Sequence, residues 1–291
     1  MNPFCDDYRH EEDIVLVKAA TQGSRSALEM LLKRHQRFLY NLALKLVRDP
    51  HDAADLTQEV LIKVVTKLAQ FEGRSHFRTW LYRIAVNHFR AMKRTHSEAE
   101  VHSFESFGSF LSETYTSDDF TLTEMEAYEA QITATRNMCM TSMLLCLDRQ
   151  QRIVFILGAI FKVKSTAAAR ILEISPESFR QQLTRAKKEL FQFMDNQCGL
   201  INPENPCRCS KKTKGFMQEG KVDMGTGSFK GEVLQQIRSQ VEVKNEKLTE
   251  LMEGKYLQFF RRQPYEKSVT GDHLVRSLIL DPAIMQLFQL N

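Results

Sequence analysis

The sequence has no apolar run approaching the ~20 residues that a membrane-spanning helix requires. Its first residues are acidic and lack the basic segment, followed by an apolar one, that characterises a signal peptide. Alternating strand-like runs joined by hairpin turns are scarce, whereas apolar residues recur at helical spacing. These absences argue against a membrane, secreted or β-rich protein and predict a cytoplasmic, all-α protein.

Motifs of catalytic sites are missing as well. No pair of carboxylates lies beside a histidine, and the sequence has neither a nucleophile elbow nor a phosphate-binding glycine loop. The eight histidines are scattered. His88 falls on the apolar side of a predicted helix, where a hydrogen-bonded core histidine is the simpler interpretation. The sequence therefore predicts a protein that is not an enzyme.

Charge is distributed unevenly along the 291 residues, although the net charge is only +4. The segment from Ser97 to Thr135 contains nine acidic residues and neither Lys nor Arg. Serine, threonine and phenylalanine are interleaved there without clear periodicity. We predict a flexible acidic linker over residues 96–136, and a solvated spacer is the simpler alternative to a functional one.

Three helices are predicted before the linker. They cover residues 12–21, 24–47 and about 50–68. The third begins with Asp49 as its N-cap and Pro50 in the first helical position. Its first turns place Asp52, Asp55 and Glu59 on one face. The helix dipole explains carboxylates in the first turn but not Glu59, so the row indicates a docking surface.

Residues 71–95 are predicted to form a glycine-containing loop followed by one helix. The apolar side of this helix comprises Phe77, Leu81, Ile84, Ala85, His88 and Met92. The opposite side comprises Trp80, Arg83, Asn87, Arg90 and Arg94. Such a face suits nucleic acid, because guanidinium groups neutralise phosphates, an amide bonds base edges and an indole stacks on bases. A solvated basic face is the alternative. Residues 10–95 are thus predicted to be one helical bundle.

A second folded unit is predicted over residues 137–196. A short helix from Ser165 to Leu172 precedes a turn at Glu173, and a longer helix follows, with Ser175 as its N-cap and Pro176 in its first turn. The outer face of the longer helix is polar and basic, with Arg180, Gln181, Thr184, Arg185 and Lys188. This is a helix-turn-helix pattern, whose second helix would enter the major groove of DNA.

The remaining residues, 197–291, form a predicted C-terminal extension. Helices are expected at 231–252, 254–262 and 272–289. The extension opens with Cys198, Cys207 and Cys209, which a reducing compartment would keep as thiols or metal ligands. Three thiols bind zinc only with a fourth ligand, and the usual CxxC spacing is absent. Zinc binding, redox sensing and a structural turn with buried thiols all remain open, and no cofactor is assigned.

Three motifs resemble segments of the extracytoplasmic-function sigma factors, the small members of the sigma-seventy family of bacterial RNA polymerase subunits. The run TWLYRIAVN, residues 79–87, resembles their promoter-melting segment. HDAADLTQEVLIKV, residues 51–64, resembles the part of sigma region 2 that grips the polymerase clamp helices. VKSTAAARILEISPESFRQQLTRAKKEL, residues 163–190, resembles sigma region 4, which reads the −35 element.

The resemblance implies a promoter-specificity subunit whose partners are core RNA polymerase and promoter DNA, and an anti-sigma factor is left open as a further partner. The residues that would face polymerase are Asp52, Asp55, Gln58 and Glu59. The loop FEGRSHF, with Arg74 and His76, would take a flipped −10 base near Asn87. An acidic linker is compatible with the positively charged channels of polymerase.

The sequence departs from the family pattern at Ala167, Ala168, Glu173 and Phe179. We expect the larger Phe179 to fill the volume lost at Ala168, so that the helix-turn-helix fold is retained. The alternative function is a stand-alone helix-turn-helix regulator that binds duplex DNA without polymerase. The acidic face and the acidic linker argue against that alternative.

Overall fold

The computed structural model describes residues 8–95, 98, 103–113 and 118–218, together with positions 256, 257, 260, 261, 275, 280, 282 and 285. Regular structure in these residues is helical, apart from one isolated β-bridge between Cys198 and Cys207. The all-α prediction is therefore confirmed. None of the described helices is long and apolar enough to cross a membrane. The predicted helices at 231–252, 254–262 and 272–289 lie outside the described residues, apart from isolated positions.

The chain divides into two compact units that do not follow chain order. The first combines Met1–Glu100, Asp148–Ala186 and Pro264–Asn291, and the second combines Val101–Leu147 and Lys187–Gln263. The helix-turn-helix residues up to Ala186 thus pack in the same unit as the N-terminal bundle. Each unit is described by itself below.

The first unit begins with four helices. They are α1 (His10–Thr21), α2 (Arg25–Val47), α3 (Pro50–Thr66) and α4 (Phe77–Ala91). A 3₁₀ turn (Leu68–Gln70) lies between α3 and α4. Side-chain caps explain two of the starts, and that of Asp49 was predicted. The Ser24 hydroxyl accepts a hydrogen bond from the Ala27 N–H at 3.3 Å, and the Asp49 carboxylate accepts one from the His51 N–H at 2.8 Å.

The core of the bundle lies where α2 packs against α1 and α3. Leucines of α2 at positions 28, 31, 32, 39 and 42 are almost fully buried, as are Val60 and Val64 of α3. A polar network fixes α1 to α2: the buried His35 Nε2 lies 3.1 Å from the buried Asp13 carboxylate, and the Tyr8 hydroxyl lies 3.0 Å from the same nitrogen. Because these polar groups are paired, they specify one placement of α1.

Helix α4 differs from its prediction in two respects. Its buried face includes Tyr82, Val86 and Phe89, whereas Ile84 and His88 are only half-buried. The buried face of α4 is therefore rotated relative to the predicted apolar side, because the helices that pack against α4 determine which of its residues are buried. The helix also ends at Ala91, with Met92 already extended, so Arg94 does not continue the helical row of arginines.

The acidic segment is more regular than a flexible linker. It contains α5 (Phe104–Glu113), α6 (Leu122–Ala127) and the first part of α7 (Glu129–Cys146). In the second unit, Phe107 packs against Phe193 with ring centroids 5.9 Å apart, and Phe107 and Leu111 are buried. The phenylalanines interleaved in this segment thus supply apolar surface that is buried on folding, which the prediction from composition did not take into account. For these residues the interpretation as a flexible linker is corrected.

The helix-turn-helix residues follow. They form α8 (Arg149–Phe155), a π-helical turn (Ile156–Ile160), α9 (Ser165–Leu172) and α10 (Pro176–Gln197). Gly158 makes a close packing contact possible, because a Cβ built there would lie 2.7 Å from Leu183 Cδ2 and 3.0 Å from Phe179 Cζ. Phe179 is buried, as the resemblance led us to expect, whereas Leu183 is half-buried.

The described part of the C-terminal extension belongs to the second unit. It contains a turn that brings Cys198 next to Cys207, followed by α11 (Cys209–Gln218), which packs on α7. The ammonium group of Lys212 is buried and donates to the Leu111 carbonyl. The start of the extension is therefore part of the folded second unit.

Candidate nucleic-acid interface

The acidic row on α3 is on the surface. Asp55, Gln58 and Glu59 are exposed, and Asp52 is half-buried. Burial raises the pKa of Asp52, and the neighbouring carboxylates of Asp49 and Asp55 raise it further. Clustered carboxylates that disfavour one another's charge create a negative patch, which suits a basic partner.

His88 links this row to α4. Its Nε2 lies 2.8 Å from the Glu59 carboxylate, and its Nδ1 lies 2.5 Å from Lys63 Nζ. Burial and the positive charge of Lys63 lower the pKa of His88, and Glu59 partly opposes the shift. A neutral imidazole that donates to Glu59 and accepts from Lys63 satisfies both contacts. His88 of α4 is thus hydrogen-bonded to two side chains of α3 at the rim of the bundle.

A concave site with a volume of about 480 Å³ lies between the end of α3 and α4. It is lined by Lys63, Lys67, Gln70, Trp80, Arg83, Ile84, Asn87, His88, Ala91 and Glu173. We refer to it as the Trp80 site. The structure therefore brings together Trp80, Arg83 and Asn87, as the sequence predicted.

Lys63, Lys67 and Gln70 are functional candidates that sequence reasoning missed. The available signal was the four-residue spacing of Lys63 and Lys67, which places both on one side of α3. Lys63 and Lys67, together with Arg83, place positive charge around the Trp80 indole and the Asn87 amide. This combination can hold a phosphate, stack on a base and bond a base edge.

The Trp80 indole is held by an aromatic cluster. The ring centroids of Phe71 and Phe77 lie 5.5 Å and 5.7 Å from that of Trp80, and those of Phe71 and Phe77 lie 5.4 Å apart. Phe77 is fully buried, whereas Trp80 is half-buried. The cluster therefore packs against the indole, and Trp80 is also one of the residues that line the concave site.

Two predicted residues of the loop before α4, Arg74 and His76, do not line the Trp80 site. Gly73 of this loop adopts φ +72°, a conformation that favours glycine. Arg74 is exposed and forms an ion pair with Glu72, and His76 stacks on His10 with ring centroids 4.1 Å apart. Phe71, at the start of the same loop, packs against Trp80. Base capture by this loop beside Asn87 stays a prediction.

The arginines on the outer side of α4 have partners in the helix-turn-helix residues. Arg83 lies 3.5 Å from the Glu173 carboxylate, and Arg90 Nη2 donates to Gln150 Oε1 at 2.6 Å. Arg90 Nη1 also approaches the Asn87 amide oxygen at 3.4 Å. Arg94 is exposed beyond the end of the helix.

The predicted recognition face of α10 is exposed throughout. The five side chains concerned are Arg180, Gln181, Thr184, Arg185 and Lys188. The turn before α10 is made by Glu173 at φ +58°, where glycine would be more easily accommodated. The Ser175 hydroxyl accepts a hydrogen bond from the Ser178 N–H at 3.0 Å. The local sequence thus forms a helix-turn-helix with a basic, solvent-facing second helix.

Five cysteines of the described residues lie in the second unit, none of them in a disulfide: Cys139, Cys146, Cys198, Cys207 and Cys209. Burial raises the pKa of the Cys209 thiol to about 12, and the neighbouring thiols add to the shift. Burial likewise raises the pKa of Cys139, which interacts with the other four. Among the described residues, no group of three or more His, Cys, Asp and Glu side chains is placed to hold a metal ion.

Comparisons with known proteins agree with this arrangement. Residues 31–98 match the family model Sigma-70 region 2, and residues 137–190 match Sigma-70, region 4. The chain is 39% identical over 77 residues to the RNA polymerase sigma-H factor of Pseudomonas aeruginosa, covering 26% of this chain and 40% of that protein. It is 41% identical over 75 residues to the ECF RNA polymerase sigma-E factor of Escherichia coli, again 26% of this chain and 39% of that protein.

Two further similarities extend over more of the chain. The RNA polymerase sigma factor NccH of Alcaligenes xylosoxydans is 27% identical over 180 residues, which are 61% of this chain and 92% of that protein. A solved structure of CnrH in complex with the cytosolic domain of CnrY covers 63% of this chain and 97% of its own, at 22% identity and a TM-score of 0.47.

The relatives with the higher identities are matched over about two fifths of their length. The matched segments nevertheless fall on the bundle and on the helix-turn-helix, in the order in which the motifs occur. Residues 31–98 and 137–190 therefore match regions 2 and 4 of the sigma-70 family, in the order in which the sequence predicted them.

Proposed function

We propose that this protein is a sigma factor that directs core RNA polymerase to promoters and assists strand separation there. The observation that carries the proposal is the pairing, in one chain, of the Trp80 site with an exposed basic recognition helix. The first is suited to an unpaired base, and the second to the major groove of duplex DNA. Promoter opening needs both kinds of contact.

We also propose a role for each of the individual site residues. Asp52, Asp55, Gln58 and Glu59 would bind polymerase through the negative patch on α3. Trp80 and Asn87 would receive a −10 base, while Lys63, Lys67 and Arg83 hold the adjoining phosphates. Arg90 and Arg94 would contact DNA phosphates outside the concave site, and Arg74 and His76 remain proposed DNA contacts of the loop before α4. The exposed face of α10 would read the −35 element. No catalytic step is assigned to this chain, and an anti-sigma factor that covers these surfaces is a further proposed partner.

The direct test is transcription in vitro with purified core polymerase, this protein and genomic DNA fragments. Discrete transcript starts that require the protein are expected, because core polymerase alone does not select promoters. Upstream of these starts, shared −35 and −10 sequences should emerge. An unchanged pattern of transcripts with and without the protein would contradict the proposal.

A stand-alone helix-turn-helix regulator remains the second candidate, since the exposed face of α10 is compatible with it. Co-purification distinguishes the two, because a sigma factor binds core polymerase in the absence of DNA. Retention of polymerase by the tagged protein after nuclease treatment would support the sigma function. Binding to duplex DNA without any retention of polymerase would favour the regulator.

A further inference from the structure

Cysteines from three segments of the second unit lie close together. Two of them are seven residues apart in α7, so they share one side of that helix. The other three belong to the turn after α10 and to the first residue of α11, which packs on α7. The Cys139 thiol interacts electrostatically with the four others. We call this set the thiol cluster, and its members are Cys139, Cys146, Cys198, Cys207 and Cys209.

The turn between α10 and α11 brings two of these cysteines side by side. Cys198 and Cys207 form a parallel β-bridge, and the Gly199 N–H donates to the Cys207 carbonyl at 3.1 Å. A Cβ at position 199 would collide with that carbonyl and with the Arg208 side chain. Neighbouring strands lie about 4.7–4.9 Å apart, which is within the range of about 4.4–6.8 Å for the Cα atoms of a disulfide. The backbone therefore permits a disulfide between Cys198 and Cys207.

Side chains already hold this turn in place without a cross-link. The Asn205 amide donates to the Asp195 carbonyl at 2.7 Å. The Arg208 guanidinium donates to the carbonyls of Pro203 and Cys207 at 2.8 Å and 3.1 Å. Because the reduced turn has the conformation that a disulfide needs, closing the bond does not have to distort the native structure.

The remaining members of the thiol cluster are less suited to react. Burial raises the pKa of Cys209 to about 12, and it raises the pKa of Cys139 well above its usual range. Both therefore stay protonated at neutral pH, and the protonated thiol is not the nucleophile. The Cys146 thiol donates to the Ser142 carbonyl at 3.5 Å, within its own helix.

Cys207 is the member that nearby positive charge favours as a nucleophile. Burial raises its pKa, and so does the neighbouring Cys198 thiol. The positive charges of Lys212 and Arg208 oppose that shift. Cys207 also lies two residues before the start of α11, where the helix dipole favours an anion. We therefore expect Cys207 to attack first, slowly, through the small fraction that is ionised.

We propose that Cys198 and Cys207 form a reversible disulfide, which makes the turn between α10 and α11 a site of redox modification. The oxidant is a low-molecular-weight disulfide such as oxidised glutathione. The Cys207 thiolate attacks one of its sulfurs, and one small thiolate leaves. Cys198 then attacks the Cys207 sulfur of the mixed disulfide and releases the second small thiol. The two protein thiols lose two electrons and two protons, which reduce the small disulfide to two thiols.

The disulfide would tie the start of α11 to the end of α10. In the reduced protein α11 is held by its packing on α7 and by the buried ammonium group of Lys212, which donates to the Leu111 carbonyl. A cross-link removes entropy from states in which the two segments have separated, so it disfavours local opening of α11. We expect amide hydrogen exchange in α11 to slow about tenfold on oxidation.

The experiment equilibrates the full-length protein, without oxygen, in mixtures of reduced and oxidised glutathione. Remaining thiols are trapped with N-ethylmaleimide, and the trypsin-digested protein is analysed by mass spectrometry. Residues 189–208 form one tryptic peptide that contains both Cys198 and Cys207 but not Cys209. We expect this peptide to become two hydrogens lighter and to carry no maleimide, and to be fully labelled again in excess reduced glutathione. Cross-links only between other pairs, or no cross-link in oxidised glutathione alone, would overturn the assignment.

Variants and hydrogen exchange on the same samples complete the test. Cys198→Ser and Cys207→Ser should each abolish the cross-linked peptide and the slower exchange, whereas the matched control Cys146→Ser should retain both. Loss of the cross-link in Cys146→Ser would overturn the assignment to one pair. Because the wild type is compared with itself in reduced and oxidised form, the test does not depend on the folding of a serine variant. A cross-link with unchanged exchange in α11 would overturn its stabilising role.

Discussion

At the scale of single residues, Glu98 experiences opposing effects on its ionisation. Burial raises the pKa of its carboxyl, but hydrogen bonds from Arg149 and from the Thr95 N–H, with the charges of Arg152 and Arg149, outweigh burial and lower the pKa. A carboxyl whose pKa is lower in the folded protein contributes stability above its unfolded pKa. That contribution is lost as the pH falls through the folded pKa.

Folding stability should therefore decrease in acid. We expect the free energy of unfolding of the wild type to fall as the pH drops below the usual value for a glutamate, ~4.3. In Glu98→Gln this low-pH loss should be smaller, because position 98 no longer titrates. Chemical denaturation of the two proteins at a series of pH values provides the measurement. The same pH dependence in both proteins would show that other groups control the loss.

Asp55 provides a test of the negative patch on α3. The change Asp55→Lys should weaken association with core polymerase by about tenfold or more, equivalent to at least ~1.4 kcal/mol, because it reverses a charge that faces a basic partner. The measurement is pull-down of core polymerase at several concentrations. Glu126→Lys, which reverses an exposed carboxylate on α6, is the matched control. Equal retention by both variants would remove Asp55 from the interface.

Asn87 and Lys67 should have different effects, although both line the Trp80 site. Asn87→Ala should reduce discrimination at one −10 position by about 1–3 kcal/mol, the usual value of a base-edge contact. Lys67→Ala should weaken binding to all promoters by a similar factor. It should also reduce the slope of the logarithm of the binding constant against the logarithm of salt concentration by about one. Permanganate footprinting of melted thymines on −10 variants distinguishes them. Wild-type discrimination by Asn87→Ala would refute the base contact.

At the scale of elements, α10 presents its polar face to solvent while Phe179, Ala186 and Leu190 are buried. Gly158 allows the π-helical turn to approach this buried side closely. The recognition face is therefore held from behind by packing, while its own side chains are exposed to solvent. A rigid support of this kind is what a specific contact requires.

Arg185 is the recognition-helix residue that we expect to read a base. Arg185→Ala should cost about 1–3 kcal/mol on the preferred −35 sequence and relax preference at one position. Binding by the holoenzyme to a set of −35 variants provides the measurement. Lys188→Ala, an exposed neighbour on the same face, should instead lower binding to every variant by a similar factor. No loss on any sequence would show that this face does not enter the groove.

The cysteine turn between α10 and α11 gives a prediction of a different kind. With a pKa of about 12, the Cys209 thiol should carry roughly a thousandfold less thiolate at neutral pH than a free cysteine near 8.5. We therefore expect slow alkylation by iodoacetamide in the native protein and rapid alkylation after unfolding, measured by mass spectrometry.

The same preparation, purified without chelators, should be analysed for zinc. Because the described residues contain no group placed to hold a metal, we expect less than one equivalent. One tightly bound zinc per chain, lost in Cys207→Ser, would restore the zinc hypothesis. Fast native alkylation would instead favour redox sensing, since thiolates are the reactive species.

At the scale of the whole molecule, the helices could be predicted where their signals are local. Ser24, Asp49 and Ser175 are caps whose partners lie two or three residues away, so the starts of α2, α3 and α10 were predictable. The exposed row on α3 and the exposed face of α10 follow from helical spacing. Phe107 was not predictable as a buried residue, because its partner Phe193 lies in a distant part of the sequence.

By itself, the sequence determined the helical class, the order of the segments that match sigma-70 regions 2 and 4, and most of the exposed side chains that we propose contact DNA, since helix periodicity and capping act within a few residues. The tertiary structure decided the rest. Glu98 meets Arg149 and Arg152 across more than fifty residues, and Glu173 reaches Arg83 across ninety. Such pairs depend on how helices pack, so no local pattern in the sequence contains them. The concave site beside Trp80 exists only in the folded protein.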